Sequence, residues 1–173
     1  NLKLMSVSLS NEQRKYNLKL SGGDTTNSSK VSFSITTVGF SNYIIERNKA
    51  KLNDDIYVTG SIGDSFLGLK LIKNNIKMQS KLKKYFTNQF YSPSLSYKIY
   101  NQLYKFANTS IDISDGLISD MNKLINNQKL SFEIEVNKIP ISKNLAVYLK
   151  KNNKVKTQYL FNGDDYQILF TAS

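Results

Sequence analysis

The sequence of 173 residues has no cysteine, no histidine and no tryptophan, and only two prolines. Without cysteine there is neither a disulfide framework nor a thiolate metal site. Without histidine there is no imidazole base, no serine triad of the usual kind and no common zinc ligand. Any chemistry therefore rests on carboxylates, hydroxyls, Lys and Arg, and backbone groups. No apolar run reaches the roughly 18 residues of a membrane span, so none is expected. The chain opens Asn1-Leu2-Lys3-Leu4-Met5, with no initiator Met and no charged, apolar and cleavage-site succession. The expectation is a soluble cytoplasmic protein whose true beginning lies upstream.

Acidic residues are also few: 13 against 24 basic ones, a net charge of +11. Such a surplus raises nucleic-acid binding as a possibility. The lysines are dispersed, however, among abundant Asn, Ile and Tyr, and no nucleic-acid motif is present. The densest basic stretch, Lys81-Leu82-Lys83-Lys84-Tyr85-Phe86, reads as a solvated helix face. Positive charge also suits polyphosphate ligands. A hydrophobic fraction of 40% supports a packed core.

Strand and helix patterns alternate along the chain. Leu2, Leu4, Val7 and Leu9 suggest a ragged strand, and Asn17 to Leu20 a second. Val31, Phe33 and Ile35 alternate with polar residues, as do the residues of Ser131 to Val136, and both read as half-buried strands. Further strands are expected at Asp55 to Thr59, Ser110 to Ile113 and Tyr166 to Thr171. Helices are expected at Ser65 to Asn74, Ser96 to Ala107, Asp115 to Asn127 and Asn144 to Lys151. The fold class is α/β (α+β), with sheets layered against helices. The polar stretch Arg47 to Asp54 suggests a junction between residues 1–48 and 49–173.

Three turns at strand ends carry acids, glycines or hydroxyls. In Gly22-Gly23-Asp24-Thr25-Thr26, the glycines allow close backbone approach and the oxygens suit a hard cation or phosphate. By spacing alone, a plain Gly-Asp turn between strands is the favoured reading. In Ile111-Asp112-Ile113-Ser114-Asp115-Gly116-Leu117, Ser114 or Asp115 can cap the next helix. Capping leaves Asp112 unexplained; beside Asp115 it would repel unless a cation lay between them, which makes a magnesium corner the alternative. Asn162-Gly163-Asp164-Asp165-Tyr166-Gln167 is either a solvated turn or a face for a cationic or amide-bearing substrate. Gly60-Ser61-Ile62-Gly63-Asp64-Ser65 lacks the P-loop lysine and spacing; it reads as structural, with Asp64 or Ser65 capping a helix.

In this order and spacing, these stretches together resemble the thiamine-monophosphate kinases, relatives of the aminoimidazole ribonucleotide and selenophosphate synthetases. The Thr-Gly-Gly and Thr-Arg-Gly patterns of the sister families are absent. The resemblance implies a two-lobed fold, with residues 1–48 as the tail of an ATP-binding lobe and 49–173 as most of the C-terminal lobe. It implies transfer of the ATP γ-phosphoryl group to thiamine monophosphate, dependent on magnesium. It assigns Asp24, Asp112 and Asp115 to magnesium, and Gly23, Asp24, Arg47 and Ser114 to ATP. Asp164 falls to the thiamine substrate. The family is homodimeric through its N-terminal lobe, and neither nucleic acid nor membrane is implied as a partner. The family's early Gly-Asp-Asp motif is not found, and only Asn11 to Tyr16 stand where a full helix usually precedes the Gly-Gly-Asp turn. Asn27 replaces a common Arg, Asn162 a common Gly, and Asp164 a frequent Glu.

Overall fold

In a computed structural model, which describes residues 2–73 and 76–173, the first regular element is a helix where alternation suggested a strand. This helix, α1 (Leu2–Tyr16), also fills the place where a family helix seemed missing. The spacing of Leu2, Leu4, Val7 and Leu9 fits neither period cleanly, and no Gly or Pro interrupts the segment. Leu9, Ser10, Gln13 and Tyr16 are its half-covered residues, with Leu9, Gln13 and Tyr16 at i, i+4 and i+7. Asn17 then takes a left-handed φ of 52°, and Leu18 N–H donates to Gln13 O at 2.9 Å, closing the helix as a left-handed C-terminal cap. Asn17 to Leu20 and Val31 to Ile35 form no strands. Val31, Phe33 and Ile35 alternate as expected but stay exposed; alternation without a neighbouring strand makes no ladder.

The chain divides into two compact units, Asn1–Phe40 and Ser41–Ser173. The second carries the other elements: β1 (Asp55–Val58), α2 (Asp64–Lys73), α3 (Ser80–Tyr91), α4 (Tyr100–Leu103), β2 (Thr109–Asp112), α5 (Leu117–Leu124), α6 (Lys143–Lys151), α7 (Thr157–Leu160) and β3 (Ile168–Ala172). The strands make one antiparallel sheet in the order β1-β3-β2, with Asp55 opposite Ala172 and Asp112 opposite Ile168. Every expected strand with a partner is present. Ser131 to Val136 is not one: Phe132 and Ile134 turn toward the core as the pattern requires, yet no backbone pairing joins the segment to the sheet. A cavity of about 610 Å³ is lined by Ile56 and Val58 of β1 and by Phe132 and Ile134 of this segment.

The period-two strands explain the layers. Leu169 of β3, fully buried, joins Leu117, Met121 and Leu124 of α5 on one face of the sheet. Its neighbours Ile168, Phe170 and Ala172 pack with Leu103 of α4 on the other, where the Phe170 ring stacks on Tyr57 at 5.3 Å. A third cluster unites Leu67 and Leu71 of α2, Phe86 of α3, Leu145 and Leu149 of α6, and Tyr159 of α7. Full burial of each such side chain contributes roughly 1.5–3 kcal/mol. The basic run of α3 behaves as expected: Lys81 and Lys84 are exposed while Phe86 is buried. The helix expected over Ser96 to Ala107 is broken into a 3₁₀ turn at Tyr97–Ile99, the single turn of α4, and further tight turns. No helix among the described residues is long and apolar enough to cross a membrane.

Candidate functional site

Two of the acid- and glycine-bearing turns meet at the end of the sheet where β2 finishes and β3 begins. Ile113 N–H donates to Gln167 O at 2.8 Å and Tyr166 N–H to Ile113 O at 2.9 Å, extending the β2–β3 pairing beyond the strands. Asp164 N–H then donates to Ser114 O at 3.0 Å. A Cβ placed on Gly163 would lie 1.8 Å from Ser114 O, so only glycine permits this approach. Asp164 and Tyr166 both adopt left-handed φ values, 68° and 50°, which cost an L-residue roughly 1–2 kcal/mol. Main-chain hydrogen bonds to Ser114 and Ile113 hold the strained loop in place.

The Gly60–Ser65 turn joins them through buried side chains. The Asp165 carboxylate accepts from Gly63 N–H at 2.8 Å and Ser65 N–H at 3.4 Å. It therefore caps α2 from across the molecule, a role expected of Asp64 or Ser65. Asp64 instead accepts from Tyr85 Oη and Ser142 Oγ, each at 2.7 Å, and Ser65 Oγ donates to Gln89 O. Burial, partly opposed by its hydrogen bonds, pushes the Asp64 carboxyl above the usual range. Burial first, with the neighbouring Asp64 charge adding to it, raises Asp165 to about 7. Gln167, also buried, accepts from Thr59 Oγ1 and Ser96 Oγ and donates to Ser94 O. Turns near residues 60, 94, 114 and 165 are thus tied into one end of the fold.

Helix α5 begins here as well. Its N-terminus is capped by neither Ser114 nor Asp115: Gly116 occupies the cap position with φ 115°, and fully buried Asp120 reaches back from within the helix. Asp120 Oδ2 accepts from the N–H groups of Ser114, Asp115 and Gly116 at 3.0, 2.9 and 3.1 Å. Lys123 Nζ donates to Asp120 Oδ1 at 2.7 Å and also to the Asp115 carboxylate. Asp112 and Asp115 are both exposed, and Ser114 between them is half-buried. Hard oxygen donors accessible to water fit Mg²⁺, which takes one or two carboxylates and keeps several waters. Among the described residues no three His, Cys, Asp or Glu side chains gather into a metal-holding group.

Within the second unit, Arg47 is not among the residues of this junction. Arg47 is exposed on a segment anchored at the far end of α5: Glu46 O accepts from Thr109 Oγ1, Asn48 N–H donates to Leu124 O, and Asn127 N–H to Asn48 Oδ1. Gly23 and Asp24 belong to the first unit, where Asp24 Oδ1 accepts from Thr25 N–H at 2.7 Å and open space surrounds the Gly23 Cα. Asp120 and Lys123 escaped sequence reasoning, and Asp165 and Gln167 were visible only as members of the Asn162–Gln167 turn, without these partners. The one available signal was that Asp120 and Lys123 follow Gly116 at i+4 and i+7, on the turn-facing side of the helix. The cavity beside Phe132 contains none of Asp112, Ser114, Asp115 and Asp164.

No protein-family model matches the chain. Among individual proteins, the thiamine-monophosphate kinase of Aquifex aeolicus is 34% identical over 90% of the chain, that of Buchnera aphidicola from Acyrthosiphon pisum 36% over 99%, and that of Escherichia coli K12 32% over 99%. The chain spans about half the length of these relatives: 51%, 54% and 53%. Of solved structures, the A. aeolicus enzyme described as complexed with AMPPCP and TMP superposes with a TM-score of 0.68 at 33% identity, over 74% of this chain and 42% of that one. The thiamine-monophosphate kinase of Stenotrophomonas maltophilia K279a gives 0.68 at 26% identity, over 76% and 43%. Along nearly all of its own length, the chain is similar to the thiamine-monophosphate kinases, matches about half of such a protein and shares its mixed α/β fold.

Proposed function

We propose that the chain belongs to a magnesium-dependent kinase that phosphorylates thiamine monophosphate. The observation that carries this reading is the junction of the Ile113–Gly116 and Gly163–Gln167 turns: chemistry-bearing residues distant in sequence meet through specific main-chain hydrogen bonds. The relatives matched over the same stretch bear that enzyme's name. In the reaction, an oxygen of the thiamine monophosphate phosphate bonds to the γ-phosphorus of ATP. The bond from that phosphorus to the bridging oxygen breaks, and ADP leaves with thiamine diphosphate as product.

Donor and acceptor are both anionic, so their repulsion must be neutralised before in-line approach. Phosphoryl transfer demands positioning and electrostatic stabilisation rather than covalent help; a chain without histidine meets that demand. We assign Asp112, Asp115 and Asp24 to magnesium, whose charge would neutralise the phosphate oxygens. Gly23, Asp24, Ser114 and Arg47 are assigned to the nucleotide and Asp164 to the thiamine substrate. Residues 1–48 are then the end of an ATP-binding lobe and 49–173 most of the second lobe. The same reading puts the protein in the cytoplasm, as part of a homodimer.

The test is mass-spectrometric detection of thiamine diphosphate after incubating purified chain with thiamine monophosphate, ATP and Mg²⁺. Product above a no-protein control, lost in Asp112→Asn, is the expected result. The coverage of only half of each relative favours a second reading, in which this stretch folds but needs the rest of the relatives' length for turnover. Product that appears only when the remaining half of a relative is supplied would select it. Unaltered product in Asp112→Asn and Asp115→Asn alike would refute their magnesium role.

A further inference from the structure

Lys123 occupies an unusual place for a surface lysine. It bridges two carboxylates of opposite character: Asp120, whose side chain is 1% exposed, and Asp115, whose side chain is 64% exposed. Asp120 is permanently committed, because its Oδ2 accepts from the N–H groups of Ser114, Asp115 and Gly116. Those bonds set the path of the turn that presents the Ser114 and Asp115 side chains. Three donors occupy Oδ2 alone, so the buried Oδ1 needs a partner of its own. Lys123, three residues along the same helix, supplies it at 2.7 Å. The second bond of the ammonium, to Asp115, is a different matter: Asp115 lies in water and has no structural reason to be held there.

We propose that Lys123 is a positioning residue that acts as a resident cation. It fills the place between Asp115 and Asp120 and holds the Asp115 carboxylate ready, so that a divalent cation binding Asp115 must displace its ammonium. The proposal deepens, and rests on, the assignment of Asp112 and Asp115 to magnesium. An ammonium is a compact point charge with rotatable donors, so it can leave Asp115 while keeping Asp120. A divalent cation brings twice the charge to an exposed carboxylate whose ion pair with lysine is weak. Lys123 therefore lowers the affinity of Asp115 for a bare cation.

Binding of Mn²⁺ alone to the full chain, followed by the electron paramagnetic resonance signal of the free ion, tests this. Lys123→Gln retains a donor for Asp120 but removes the charge. It is expected to bind Mn²⁺ roughly two- to five-fold more tightly than the parent, the range that loss of an exposed ion pair allows. The gain should vanish on an Asp115→Asn background. A purely structural lysine predicts unchanged or weaker binding, never a gain, so equal or weaker binding by Lys123→Gln overturns the proposal. If Asp115→Asn still weakens binding in that case, the magnesium corner stands without it. Parental affinity in both Asp112→Asn and Asp115→Asn, or no binding by any variant, removes the corner itself and the proposal with it.

Discussion

Of the buried aspartates, Asp120 has three N–H donors and a lysine, whereas Asp165 has two N–H donors and the carboxylate of Asp64 for a neighbour. The difference gives Asp165 a pH signature. Its folded value is about 7 against 3.8 for the free side chain. Below pH 3.8 both folded and unfolded chains hold the proton, and the stabilising effect is fully present. As pH rises toward 7 only the unfolded chain gives it up, so stability falls, and the loss is complete above that value. At about 1.4 kcal/mol per unit the fall is on the order of 4 kcal/mol. Thermal unfolding between pH 5 and 8 should show the parent losing stability with a clearly steeper slope than Asp165→Asn. Parallel slopes would place the titrating group elsewhere. Gly163 makes the second prediction at this scale. Alanine there must move backbone, because Ser114 O lies 1.8 Å from its Cβ; a loss of at least about 2 kcal/mol in urea unfolding is expected, the scale of overpacking. The sequence displayed Gly163 and Asp165 as turn residues, but what each must avoid or bind comes from residues far away in the chain.

Elements were readable where local pattern and tertiary partner agree. The segments at 55–58, 109–112 and 168–172 each have a strand beside them, although the last two do not alternate between polar and apolar residues. The segments at 31–35 and 131–136 alternate cleanly and have none, so periodicity alone could not separate the two groups. Helix α1 failed in the opposite direction, with an irregular pattern that burial could not sharpen because none of its residues is buried. Helix α3, glimpsed only through its basic run, owes its position to α2. A Cβ at Gly68 would sit 2.1 Å from Phe86 O, so the backbones of α2 and α3 touch at this point. Gly68→Ala gains about 1 kcal/mol in helix propensity, yet must push the pair apart and loosen Leu67, Leu71 and Phe86. A net loss of about 1–3 kcal/mol is expected by denaturant titration. A variant more stable than the parent would show that propensity outweighs the contact.

At the scale of the molecule, the apolar core and the chemistry-bearing residues are distributed differently. All three core clusters draw only on residues from Ile45 onward. Unit Asn1–Phe40 has no buried residue among those described, although it carries Gly23 and Asp24, which the proposed function assigns to nucleotide and magnesium. The net charge of +11 belongs to the whole chain; dispersed lysines give such a protein some affinity for any polyanion at low salt, an affinity that fades steeply as salt rises. These facts separate folding from function in one truncation. Residues 41–173 contain every strand and every core residue among those described, so they should unfold cooperatively, with a midpoint within a few degrees of the full chain. The same fragment should bind Mg-ATP markedly more weakly at physiological ionic strength, because Gly23 and Asp24 are gone while Asp112, Ser114 and Asp115 remain. Circular dichroism melting reports the first property and calorimetric titration with Mg-ATP the second. A fragment that melts without cooperativity would mean that the first 40 residues complete the core after all. A fragment that folds and binds Mg-ATP as tightly as the full chain would remove Gly23 and Asp24 from the nucleotide site and leave the strand-end corner as its whole extent.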